Sequence, residues 1–239
     1  MKYSIDIFLP VLDETFSLDK TIYLIEKKSS KFVNKYLITV SKQKTSLKSF
    51  EKIKFLKKKY KDKIKVVFQQ KPFLGGALIT AIKHINSTHF VIMASDLETN
   101  PNFFHKLRLS SQKNKEKIFV ATRWKNKNSF QNYNFIKLCL NKIFQIVFST
   151  LFKTKISDLT FGYRIYPSKI IKKIKLIELK HPILFESIIV PIKLGYNVDE
   201  IKCNWKMRQE GKSHNPFLNN FLYFKTGIRV LFSDLKNLK

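Results

Sequence analysis

Residues 91–101 read VIMASDLETNP, an apolar run that empties into Asp96 and Glu98. Two hard oxygen ligands on a short loop suit Mg2+ or Mn2+ when a substrate diphosphate supplies the rest of the shell. The alternative is that they cap a helix entered at Pro101. Asp13 and Glu14, just after Pro10, can accept hydrogen bonds from a ligand base or sugar, or complement a helix dipole. KPFLGG at 71–76 opens a helical pattern, and a glycine-rich helix start such as Gly75 can present backbone N–H groups to phosphate, although this is neither a P-loop nor G-x-G-x-x-G. Asp158, Tyr163 and Arg164 share one polar loop, and Arg208, Lys212 and His214 share another. Arg offers a planar fork for phosphate oxygens and Lys a point charge, but loop cations are common in so basic a chain. Glu186, beside Phe185 in an apolar run, must be a partnered acid.

The elements that position these groups alternate through the first half. Strands are expected at 3–9, 35–40, 64–68 and 90–93, with helices at 18–28, 47–60 and 75–85 between them. That spacing implies right-handed βαβ units and a mainly parallel sheet. Ligands of such sheets sit beyond the carboxyl ends of the strands. Pro10, 69–76 and 96–98 all fall at such ends, so one crevice is expected. The second half predicts a strand at 118–122 leading into Arg123, a helix at 135–152, a polar loop at 157–165, a helix at 184–194 stopped by Gly195, an edge strand at 198–205 and a helical tail at 217–238. On 135–152 the polar residues Lys137, Asn141, Gln145 and Ser149 fall at i, i+4, leaving an apolar surface wider than an ordinary core-facing stripe. No repeat or low-complexity linker divides the chain.

The chain has 239 residues, 46 Lys and Arg against 17 Asp and Glu, and a formal net charge of +29. Hydrophobic content of 44% with 14% aromatics argues for a folded domain and against disorder. The charge implies a polyanionic partner (nucleic acid, anionic lipid or a phosphorylated substrate) or general drift toward Lys, and triplets such as Lys57-Lys58-Lys59 read as a solvated helix face. Cys139 and Cys203, far apart and without a C-x-x-C partner, exclude a thiolate zinc site and a disulfide framework, and favour a reducing compartment. The N-terminal apolar run, broken by Asp6, is no signal peptide, and no stretch offers about 20 apolar residues for a membrane span.

Taken in order, these segments resemble glycosyltransferase family 2, most closely its dolichyl- or polyprenyl-phosphate mannose or glucose synthase branch. The branch's P-x-x-N-E is here Pro10-Val11-Leu12-Asp13-Glu14, and its D-A-D-L-x-x-x-P is Ala94-Ser95-Asp96-Leu97-Glu98-Thr99-Asn100-Pro101. Its G-x-R is Ala121-Thr122-Arg123, its S-D-x-T-x-G-F-R-x-Y is the run from Ser157 to Tyr166, and its late acid followed by R-x-x-G-x-S is Glu200 with Arg208 and Gly211-Lys212-Ser213. The resemblance covers about 3–232. It departs at Ala94, where the first D-x-D acid is missing, at Glu98, where the branch often has Gln, and at Thr39-Val40-Ser41-Lys42-Gln43, where the branch has D-D-G-S with an Asp that reads the nucleobase.

The resemblance implies a GT-A fold: a Rossmann-like, mainly parallel mixed sheet flanked by helices, spanning 1–215, with a C-terminal amphipathic helix at 216–239. It implies inverting transfer of a hexose from a nucleotide-sugar to a polyprenyl- or dolichyl-phosphate-type lipid, with a protein that binds but does not transfer as the alternative. Asp96 and Glu98 would hold Mg2+ or Mn2+. Asp158 would orient or deprotonate the acceptor, Arg164 would join Asp96 and Asp158 at the reacting centre, and Pro10, Asp13, Glu14, Gly75, Arg123, Arg208 and Lys212 would hold the donor. The expected location is cytoplasmic, peripheral at the cytoplasmic face of a membrane. The apolar faces of 135–152 and 217–238, with interleaved Lys and Arg, suit an interfacial helix on anionic lipid, or else pack on the sheet or in a homodimer. A nucleic-acid partner is not expected, because no basic-aromatic module is present.

Overall fold

The computed structural model describes residues 2–125, 129–130, 134–205, 210 and 220–239. Seven strands form one sheet: β1 (Ile5–Val11), β2 (Val33–Val40), β3 (Ile64–Phe68), β4 (His89–Ile92), β5 (Ile118–Thr122), β6 (Arg164–Pro167) and β7 (Val198–Lys202), in the order β3-β2-β1-β4-β6-β5-β7. The pairs β1–β2, β2–β3, β1–β4 and β5–β7 are parallel, while β6 runs antiparallel to both β4 and β5. The eight α-helices are α1 (Phe16–Ser29), α2 (Leu47–Tyr60), α3 (Phe73–Ile82), α4 (Phe104–Lys113), α5 (Phe135–Leu151), α6 (Ser168–Lys173), α7 (Ile183–Lys193) and α8 (Asn220–Phe232) among the described residues.

Covering both faces of a parallel sheet requires strands apolar on both sides. In β1, Ile5, Ile7, Leu9 and Val11 point to the α1, α2 and α4 layer, and Phe8 points to the layer of α3, α5, α7 and α8. Asp6 lies in the same strand and is buried, but its carboxylate accepts from Asn34 Nδ2 at 2.8 Å and the Asn86 N–H at 2.7 Å, which offsets its loss of water.

The expected bounds of β3, α2 and β5 agree with the structure, since each has a strong period and a clear stop. α2 begins at an N-cap, Ser46, whose side chain accepts the Ser49 N–H, and ends in Lys57, Lys58 and Lys59, which complement its carboxyl end. Two elements, β6 and α6, are not in the sequence reading, and α4 is there only as the alternative helix entered at Pro101. β6 takes the end of the expected 157–165 loop because it finds partners on both sides in β4 and β5. α4 and α6 are short and polar on one side, so their periodicity is weak. The tail is not one helix: α8 stops at Phe232, and a 3-10 turn follows at Leu235–Leu238. Lys193 Nζ closes the α8 end by donating to the carbonyls of Val230, Leu231 and Ser233 at 2.8, 2.6 and 2.6 Å.

α8 is fixed from below by a buried acid. Glu186, fully buried on α7, accepts the N–H groups of Ile177 and Glu178, and Arg229 Nη2 of α8 lies 2.6 Å from its Oε1. Burial pushes the Glu186 carboxyl up, against these hydrogen bonds and the guanidinium charge. α8 and α5 cross closely at Gly227, where an added Cβ would lie 2.1 Å from Phe148 Cε1.

Candidate active site

β4 ends at Ile92, and the chain turns through Met93 to Pro101 at the carboxyl edge of the sheet. Ser95 Oγ donates to the Pro10 carbonyl at 2.6 Å, which joins this loop to the end of β1. Asp96 is buried and its Oδ1 accepts the Glu98 N–H at 3.0 Å. Between them Leu97 is held at φ +65°, a left-handed conformation that costs a leucine on the order of 1 kcal/mol or more. Glu98 Oε1 accepts Trp205 Nε1–H at 3.0 Å. No cluster of three or more His, Cys, Asp or Glu suited to a metal occurs among the described residues. Two carboxylates two residues apart could supply part of a divalent cation's shell when a diphosphate supplies the rest, and do not fit an all-protein cage.

Arg123 follows β5 at the same edge. Asp158 Oδ2 accepts its backbone N–H at 3.1 Å and its Nε–H at 2.8 Å, and Asp158 Oδ1 accepts Nη2–H at 2.9 Å and the Phe161 N–H at 3.1 Å. Asp158 is fully buried, so this fork-to-fork pair holds the guanidinium in one orientation. Glu200 on β7 supports the turn by accepting the N–H groups of Ser157 and Asp158 at 2.9 and 3.0 Å, and Lys125 Nζ lies 2.9 Å from its other oxygen. Aromatic rings join the two halves. Phe130 lies 4.7 Å from Trp124 and 5.7 Å from Trp205, Arg123 lies over Phe130 at 5.5 Å and over Phe161 at 4.8 Å, and Lys142 of α5 lies over Trp124 at 4.8 Å. Burial pushes the neighbouring Cys203 thiol up to about 12, so it is no nucleophile at neutral pH.

Of the two acids that follow the first strand, Glu14 serves the backbone. Glu14 Oε2 accepts the N–H groups of Leu12 and Asp13 at 2.7 and 3.1 Å, while Asp13 is exposed. At the start of α1 the carboxylate comes from Glu210, which accepts Thr15 N–H, Thr15 Oγ1–H and Ser17 N–H at 3.0, 2.6 and 2.8 Å. Partial burial would raise the Glu210 carboxyl, but these bonds outweigh it and hold it down at about 2.

Three expectations need correction. Arg164 does not face the crevice: it is fully buried on β6, and its guanidinium donates to the carbonyls of Leu184 and Leu159 and to Ser187 Oγ. A guanidinium spent on interior carbonyls tightens the fold and cannot reach a phosphate in this arrangement. Gly75 does not offer its N–H to a ligand, because that group donates to the Leu179 carbonyl at 2.7 Å. Its missing side chain is required because a Cβ would lie 2.1 Å from the Glu178 carbonyl oxygen. Asp158 does not present an idle carboxylate to an acceptor, because Arg123 and the 158–161 turn engage both its oxygens. Pro10, Asp96, Glu98 and Arg123 do share the carboxyl edge of the sheet. Arg208, Lys212 and His214 lie outside the described residues.

Trp124, Phe130, Trp205, Thr160 and Glu210 are absent from the sequence-based candidates. The one signal for the tryptophans is scarcity, since the chain has 2 and both lie here. Glu210 carries none: its partners are nearly two hundred residues earlier.

The family model described as glycosyl transferase family 2 matches residues 44–175, more than half of the chain. Similar solved structures include glucosyl-3-phosphoglycerate synthase from Mycobacterium tuberculosis in complex with Mn2+, uridine diphosphate and phosphoglyceric acid, at TM-score 0.72 and 12% identity over 98% of this chain and 80% of that one. The same enzyme with Mg2+ and uridine diphosphate matches at TM-score 0.69 and 12% identity, over 96% and 78%. A mycobacterial protein matches at TM-score 0.70 and 13% identity, over 96% and 74%. At such identities the likeness shows the fold.

Proposed function

The chain belongs to glycosyl transferase family 2, and we propose that it transfers a hexose, with inversion, from a nucleoside-diphosphate sugar to a lipid phosphate at a membrane surface. The observation that carries the lipid part of the reading is the outer face of α5. Phe135, Ile136, Leu140, Ile143, Ile146, Val147 and Leu151 are each between 40% and 75% exposed, on a helix that touches the crevice through Lys142 and Trp124. Phe221, Phe224, Ile228 and Phe232 continue the open apolar surface on α8. Neither helix contains an acidic residue, and both carry Lys or Arg, as an interfacial helix on anionic lipid requires. No described helix is long and apolar enough to cross a membrane.

The chemistry follows from the fixed groups. Asp96 and Glu98 would hold Mg2+ or Mn2+, and the similar enzyme above binds these ions with uridine diphosphate. A divalent ion there neutralises the charge of the leaving diphosphate. Arg123, oriented by Asp158, supplies a fixed cation toward phosphate oxygens. An acceptor phosphate oxygen attacks the anomeric carbon, the bond from that carbon to the diphosphate breaks, and the configuration inverts. A phosphate nucleophile is already anionic and needs no general base, which agrees with a crevice whose most buried carboxylate, Asp158, is spent on Arg123. A hydroxyl acceptor would demand the base that Asp158 does not supply. Pro10, Asp13 and Glu14 border the donor side, and Arg208 and Lys212 belong to it by the motif match.

Calorimetric titration of UDP, GDP and their hexose conjugates, with and without Mn2+, tests the donor half. Metal-dependent binding of one nucleotide, abolished by Glu98→Ala, is expected. No binding of any nucleotide by folded protein would overturn transfer. Flotation with phosphatidylglycerol vesicles at low salt tests the lipid half, and protein left at the bottom would overturn it.

A further inference from the structure

Gln145 breaks the pattern of α5. The outer face of this helix is apolar and open, whereas Gln145 is polar and 2% exposed, pointing inward between Phe144 and Phe148. A leucine in that place would pack without desolvating an amide, so the amide must be held by what it bonds. Its oxygen accepts the Leu159 N–H at 2.7 Å, and its nitrogen donates to Thr160 Oγ1 at 2.9 Å and to Asn141 Oδ1 at 3.0 Å. Acceptor and donor have different partners, so the amide has one orientation. Thr160 Oγ1 in turn accepts Arg123 Nη2–H at 3.3 Å and lies 3.5 Å from Asp158 Oδ1. A continuous hydrogen-bonded path therefore runs from the middle of α5 to the Arg123–Asp158 pair. Lys142, one turn earlier, adds a second contact by lying over Trp124, the residue next to Arg123.

We propose that Gln145 is a positioning residue that couples the lipid-facing helix to the crevice, so that seating α5 on an anionic bilayer resets the Arg123–Asp158 pair and the rings around it. The inference rests on the reading of α5 as the lipid-facing helix. Buried networks in which every member is satisfied transmit displacement because no member can move alone without losing a bond. The 157–161 turn is held by Glu200 on one side and Gln145 on the other, so a shift of α5 relative to β7 is felt by Asp158 directly.

The two tryptophans, both in the crevice, give a direct readout. Wild type, Gln145→Met and Thr160→Val are each mixed with vesicles of phosphatidylglycerol and phosphatidylcholine. Flotation measures binding and tryptophan emission reports the crevice. Thr160→Val breaks the path from the crevice side while leaving Gln145 bonded to the Leu159 N–H and to Asn141, so it decides the matter if Gln145→Met fails to fold. The expected result is equal flotation of all three proteins, a vesicle-induced emission change in wild type, and loss of that change in both variants. An unaltered emission change in variants that still float overturns the coupling while leaving the lipid reading intact, and it would mean that lipid perturbs Trp124 by direct contact. No flotation of wild type overturns both.

Discussion

Asp158 illustrates how a side chain's role is decided by what already occupies its oxygens. With Nε and Nη2 of Arg123 and the Phe161 N–H upon it, it acts as a holder of charge. Asp158→Asn would place an amide nitrogen against guanidinium donors and leave the cation uncompensated. We expect a loss of about 3 kcal/mol in urea unfolding, and of transfer activity with it. Glu210 makes a pH-dependent contribution. Its carboxyl is held at about 2 in the folded chain and titrates in the ordinary carboxylate range, near 4.5, when unfolded. Its stabilisation is therefore full above about 4.5 and disappears as pH falls toward 2. The stability difference between wild type and Glu210→Gln should shrink over that window, and a difference that persists unchanged at the acid end would exclude this role.

Among the elements, α8 shows two forces in competition at one residue. Replacing glycine by alanine inside a helix favours it by roughly 1 kcal/mol on propensity alone. At Gly227 the new methyl would meet the ring of Phe148, which is itself packed by Phe144, Phe185 and Phe224 and has nowhere to go. Overpacking should win, and Gly227→Ala should lower stability by about 1–3 kcal/mol in thermal or urea unfolding. Arg229→Ala tests the other attachment. It strands Glu186 in the core, and we expect a loss of about 3 kcal/mol with faster amide exchange in α8. The same elements show where sequence reading reaches its limit. α2 and β5 are legible because their period and their stops are local. β6 is four residues long and exists because β4 and β5 leave a gap for an antiparallel strand. The motif around Arg164 was legible as a motif, but its direction was not: strand parity sends that guanidinium into the core.

At the scale of the whole molecule, the proposed membrane contact would use the net charge of +29 and the exposed apolar side chains of α5 and α8 together. Electrostatic attraction to anionic lipid is screened within about 8 Å at physiological salt, whereas apolar insertion is not. Flotation with phosphatidylglycerol vesicles should therefore weaken as salt rises for wild type. A Phe135→Ser, Phe232→Ser double variant should lose binding at high salt first, because losing two of the most exposed apolar side chains leaves it more dependent on the screened electrostatic part. Equal flotation of that variant and wild type at every salt concentration would overturn these faces as the lipid-binding surface.

The amino-acid sequence by itself determined the strand–helix alternation of the first half, the fold class and the family, because these depend on local periodicity and on motifs contiguous along the chain. It also determined that α5 has more apolar surface than a core requires. Only the tertiary structure decided that Asp158 clasps Arg123, that Arg164 and Gly75 serve packing, that Glu210 caps α1 and that Gln145 faces inward while Ile143, Ile146 and Val147 face out. Each of those is a contact between residues distant in the chain, and a side chain's type states what it can bond, while the fold alone states which partner is within reach.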